Sequence, residues 1–129
     1  MSKYKDEYIK YRIKKCEEAM SDALLLLEDG RWNAAINRLY YAFFYLISAL
    51  LLKNNIEAKT HTGVKHQFNL HFVKKGIVAT DHGRLFSDLF DSRQKGDYGD
   101  LYDFDEEAVK SLIIPLQKFI SEIKNLIGL

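Results

Sequence analysis

The sequence predicts an all-α protein, an antiparallel up-and-down bundle of four to five helices. Three observations carry this. Apolar residues recur at three- and four-residue spacing along most of the chain. No segment shows sustained two-residue alternation. Breakers are scarce, with one proline and seven glycines in 129 residues. The length suits one domain over 1–129.

The elements follow in order. Over about 5–28, Ile9, Ile13, Cys16, Met20, Ala23 and Leu27 form one apolar stripe, and Asp29-Gly30 ends the helix. A second helix over about 31–52 is apolar nearly all round, as expected of a bundle centre or an interface, and Asn54-Asn55 closes it. Residues 59–63 read as a loop. A shorter helix over about 64–74 stops at Gly76. Thr80-Asp81 reads as the N-cap of a fourth helix ending near Ser92-Arg93, before a polar loop over 95–100. Asp105-Glu106-Glu107 starts a last helix, where negative charge complements the dipole. Pro115 inside that helix predicts a kink rather than two helices.

Composition narrows the function. Nineteen Lys and Arg against 18 Asp and Glu give a formal charge of +1, so any polyanion site must be a local patch. The lone Cys16, on an apolar stripe, excludes an internal disulfide framework and reads as an inert core residue. The first residues hold no apolar signal-peptide core, and the apolar stretch 39–52 is too short for a membrane span. The expectation is a cytoplasmic protein without a membrane role. The histidines His61, His66, His71 and His82 lack metal-ligand spacing, and nucleotide-loop and nucleophile-elbow motifs are missing. No metal and no cofactor are expected.

Arg38 is the one charge within the apolar run of the second helix. On a helical wheel Tyr45 lies about 20° from it and about 10 Å along the axis, with Tyr41 between. A buried guanidinium needs an acceptor. Either an acid such as Asp88, Asp91, Asp97 or Asp100 meets Arg38, or an anionic ligand does. Arg93, Lys95 and Tyr98 form a second polar group. It is either a solvated junction or a place where two cations contact phosphates and a phenol stacks. His61 either caps a helix or lines a pocket, and capping is the blander role.

Three stretches also resemble a known family. Arg31-Trp32-Asn33-Ala34-Ala35-Ile36-Asn37-Arg38-Leu39-Tyr40-Tyr41-Ala42-Phe43-Phe44 resembles the second helix of HEPN domains. Lys59-Thr60-His61-Thr62-Gly63-Val64 and Arg93-Gln94-Lys95-Gly96-Asp97-Tyr98 resemble motifs of the small stand-alone prokaryotic members. The resemblance implies a helical bundle, usually a homodimer, often paired with a minimal nucleotidyltransferase in a two-gene, toxin–antitoxin-like system. Other members are metal-independent ribonucleases in which Arg is followed by His after four to six residues. Here those positions are Phe43, Phe44 and Tyr45. A phenol, ordinarily ionising near pH ~10, is a poor general base at neutral pH. The resemblance therefore implies a module binding a nucleotide, RNA or a protein partner through Arg38, Tyr41, Arg93, Lys95 and Tyr98. An altered ribonuclease using Arg38 with Tyr45 or His61 is one alternative. A purely structural dimer is the other. Modification of an exposed tyrosine such as Tyr98 or Tyr102 by the partner enzyme also follows from the resemblance.

Overall fold

The computed structural model describes residues 3–98 and 104–129, with the side chains of 94–98 excepted. Six α-helices follow one another there: α1 (Lys3–Glu28), α2 (Trp32–Lys53), α3 (His61–Phe68), α4 (Thr80–Tyr98), α5 (Glu106–Lys110) and α6 (Ile113–Ile127). A wide π-turn, Asn69–Val73, prolongs α3. No strand occurs among the described residues. The all-α bundle predicted from periodicity is what forms.

α1 runs antiparallel to α2, and α4 to α6. Lys5 at the start of α1 reaches Asn55 beyond the end of α2. His82 near the start of α4 meets Glu122 late in α6. Lys124 of α6 lies 3.6 Å from Glu17 of α1. The α1–α2 turn is tight because Gly30 takes φ +71°, a left-handed conformation that costs glycine little. Asn55 does the same after α2, at φ 59°.

Helix α2 is the central post and packs against all five other α-helices. Twelve of its 22 residues are buried, which is why its sequence is apolar on most faces. By length and composition α2 would suffice to cross a bilayer, contrary to the short span read from 39–52. Two-thirds of its apolar window is instead covered by the bundle. Around it Phe43 stacks on Phe119 at 4.6 Å, and Tyr40 stacks on Phe86 at 6.0 Å. Cys16 is buried, and desolvation pushes its thiol up to about 12, so it is an inert core group.

Several boundaries differ from the sequence reading. Residues 61–63 are helical, because the Thr60 hydroxyl accepts from Gly63 N at 2.9 Å and starts α3 early. His61 therefore caps nothing and is the first residue of α3. At α4, Thr80 is already helical, and the side chain at the helix start comes from another helix. Glu122 accepts from Ala79 N and from His82 Nδ1–H. α4 also runs on to Tyr98 instead of ending near Ser92-Arg93, so 95–98 are helix rather than loop. Phe90 and Arg93 pack on Tyr40 and hold this end against the core. Finally, Pro115 does not kink one helix; the chain forms two, broken at Ser111-Leu112. Proline has no N–H for the carbonyl four residues back and its ring crowds that turn. In the first turn of α6 the missing donor costs little. The acidic start of this region does cap, since Asp105 accepts from Ala108 N at 2.7 Å.

Gly83 tests the packing of α4. A Cβ there would meet both Val73 methyls at 2.7 and 2.8 Å. Alanine is the better helix former by about 1 kcal/mol. Overpacking against a stiff β-branched side chain costs about 1–3 kcal/mol. Gly83→Ala is therefore expected to lower the midpoint of urea unfolding, although propensity alone predicts a rise.

Candidate anion-binding site

The site forms where α2, α3 and α4 meet. Arg38 lies over the Tyr41 ring, its Cζ 5.2 Å from the centroid. Arg93, three turns into α4, approaches the same ring at 5.8 Å and the Tyr40 ring at 5.0 Å. Two guanidinium groups from different helices thus share one aromatic face system. Cation–π attraction offsets part of their mutual repulsion.

Arg38 has no carboxylate partner among the described residues. Asp91 is near Lys65 instead, at 3.9 Å, and Asp88 does not pair with Arg38. Asp97 and Asp100 lie outside the described side chains. The Arg38 Nε is buried and lacks a hydrogen-bond partner. An unmet buried donor costs about 1–3 kcal/mol. The Asn37 side-chain oxygen is in the same condition.

His61 completes the group. Its ring stacks on Phe44 at 4.2 Å and meets Tyr41 edge-on at 5.7 Å. Its Nδ1 is 2.8 Å from the Tyr40 hydroxyl. Tyr40 is fully buried, and desolvation raises its hydroxyl far above the usual phenol range, so it stays protonated. Its proton would be orphaned unless donated to His61, the one acceptor within reach among the described residues. This assigns the imidazole's own proton to Nε2. Burial, then the Arg93 charge, lower the His61 pKa and keep the ring neutral at pH 7. A neutral ring with Nδ1 engaged is a hydrogen-bond donor at Nε2, not a free base.

Tyr45 is 6.2 Å from Tyr41 ring to ring, on the face the helical wheel gave it. It also borders a groove of about 760 Å³ with Tyr11, Arg12, Phe44, Ser48, Ile56 and Lys59. Lys95 and Tyr98 belong to the last turns of α4, and their side chains lie outside the described residues. Tyr102 lies outside them altogether. No cluster of three metal-ligating groups occurs among the described residues. The sequence reading missed Tyr40 and Phe44. Both stand in the Arg38 string, but Tyr40 is about 200° round the helix from Arg38. Only the partner helices α3 and α4 make it part of the site.

The fold and site define a class, an all-α bundle in which an arginine of the central helix and one of α4 meet at the same tyrosine. The chain belongs to the HEPN domain family, whose pattern it matches over residues 9–126. It is similar to a UPF0332 protein of Thermotoga maritima, 42% identical over 95% of this chain and 93% of that one. It is also similar to two Methanocaldococcus jannaschii proteins, each named "Putative toxin". One is 36% identical over 92% of this chain and 87% of its own length. The other is 28% identical over 95% and 82%.

The His61 environment has a pH signature. With the folded pKa lowered from 6.5, the unfolded chain takes up the proton first as pH falls. This contribution to stability is full above the unfolded pKa and is lost as pH falls through that value toward the folded one. Thermal unfolding should show a smaller drop between pH 7.5 and 5.5 for His61→Gln than for the unsubstituted protein.

Proposed function

We propose that this HEPN module binds the phosphate of a nucleotide or RNA at the Arg38–Tyr41–Arg93 site, within a two-gene, toxin–antitoxin-like system. One observation carries the reading: a partly exposed arginine, its Nε buried and without a described carboxylate partner, converges with a second arginine on one tyrosine. A phosphate supplies the acceptors this arrangement wants, and the Nε2–H of His61 adds a neutral donor. The names of the Methanocaldococcus relatives support the toxin-like assignment. A homodimer, a minimal nucleotidyltransferase partner and a cytoplasmic location are parts of the same proposal, carried by the family resemblance.

The binding reading is preferred to a ribonuclease on the His61 geometry. Cleavage through the 2′-OH needs a proton acceptor. With the proton of the neutral imidazole on Nε2, the Tyr40 hydroxyl 2.8 Å from Nδ1 takes up the ring's one lone pair. Tyr45 offers a phenol, a poor acceptor at neutral pH. Removing Arg38 removes charge-assisted bonds worth about 1.5–3 kcal/mol each. Fluorescence anisotropy at low salt, with chelator present, should show Arg38→Ala binding a labelled short RNA about ten- to a hundredfold more weakly. The RNA should stay intact. Equal binding by the two proteins refutes the site, and appearance of a 2′,3′-cyclic phosphate end returns the weight to the ribonuclease.

A further inference from the structure

The small net charge hides an uneven distribution. Residues 1–15 hold Lys3, Lys5, Lys10, Arg12, Lys14 and Lys15, against Asp6 and Glu7. Six of 19 bases thus lie in this short stretch with two of 18 acids. The remainder of the chain is net acidic. Half of α1 is therefore a basic patch on a protein without bulk basic excess.

The same half-helix exposes three aromatic rings. Tyr4, Tyr8 and Tyr11 are 74%, 61% and 54% exposed. Their spacing puts them within about 60° of one another, opposite the buried Ile9 and Cys16. Lys3, Lys10 and Lys14 fall on one flank of this row, at about 80–120°. Arg12 falls on the other, with its guanidinium anchored to the Ser48 carbonyl at 3.2 Å. Lys15 ends the row with its ammonium 5.5 Å from the Tyr11 ring.

The row leads somewhere. Tyr11 and Arg12 line the groove that Tyr45 and Phe44 also line, with Lys59 on its wall. Tyr45 adjoins Tyr41, on which Arg38 and Arg93 converge. Aromatic faces thus follow one another from the free face of α1, through the groove, to the two arginines.

We propose that the Tyr4–Tyr8–Tyr11 face of α1 is a stacking track for single-stranded RNA. Successive unpaired bases lie on the three rings, and the flanking cations follow the phosphates. The track extends the proposed phosphate site from one nucleotide to a strand and rests on that reading for its direction, not for its binding. Stacking needs bases out of a duplex, so the track selects single strands over double strands. A second copy of this chain is the poorer occupant. A two-fold contact through this face would oppose lysine rows of like charge without burying a continuous apolar surface.

The test is fluorescence anisotropy with a labelled 12-nucleotide oligouridine at low salt, and with a 12-base-pair RNA duplex. The three rings are exposed, so their substitution leaves the core untouched, and a thermal melt checks this. Tyr4→Ala/Tyr8→Ala/Tyr11→Ala is expected to bind the single strand at least about tenfold more weakly. The corresponding triple Phe variant should retain binding, because the ring and not the hydroxyl does the stacking. The unsubstituted protein should bind the duplex more weakly than the single strand. Unchanged single-strand binding by the triple Ala variant overturns the track. So does a dimer that becomes a monomer by light scattering in that variant, which assigns the face to a second copy. Arg38→Ala in the same assay separates the two proposals. Loss in the tyrosine variant alone keeps the track and refutes the phosphate site, and loss in Arg38→Ala alone does the reverse.

Discussion

Burial of α2 on nearly every side is the constraint on which the remaining structure depends. A helix this apolar is stable in water only if other helices cover it, and all five others do so. Covering it from several directions leaves little room for polar groups, and several of those it carries are met by a neighbour, while the Asn37 side-chain oxygen is not. Tyr40 is met by His61, the Ser48 carbonyl by Arg12, and Asn33 by the Phe104 N–H. Arg38 is met by an aromatic face rather than an acid. The functional reading grows from that exception. Covering α2 also brings one residue of α3 and one of α4 to the Tyr41 ring over which Arg38 lies, which no single helix could do.

The elements were legible in the sequence wherever a stripe or a cap was strong. The stripe of α1, the all-round α2, the Gly30 stop and the Asp105 start all read directly. The misreadings share a cause, because each boundary was decided by a group from another element or by one bond. Thr60 starts α3 through its own hydroxyl. Glu122 supplies the carboxylate at the start of α4 from 40 residues away. The last turns of α4 lie beyond Phe90 and Arg93, which rest on Tyr40, and local propensity near Gly96 could not show that. At Pro115 the local rule was known, but its outcome was not. A break restarts the helix with proline in its first turn, a position proline tolerates.

The site was half legible. Arg38 stood out as a charge in an apolar run, and Arg93 and His61 stood in motifs of their own. What the sequence could not give was the hydrogen-bonding state of His61. That state depends on Tyr40, a residue on the opposite side of the helical wheel from Arg38. It decides whether the imidazole accepts or donates, and so whether the site favours holding a phosphate or breaking its ester. The basic, tyrosine-bearing start of α1 was visible in principle, but whole-chain charge averaged it away.

The clip between His82 and Glu122 has a mechanical consequence. α4 is fixed to α6 at that end, and Arg93 projects from the same helix three turns later. The lever between them is about 16 Å long. A tilt of about 5° at the clip would move the guanidinium by roughly 1.4 Å, about half a hydrogen-bond length. The alignment of Arg93 with Tyr41 is thus a matter of tolerance set far from the ring itself. Glu122, which touches neither arginine, thus bears on how the two are set relative to each other through its hold on His82.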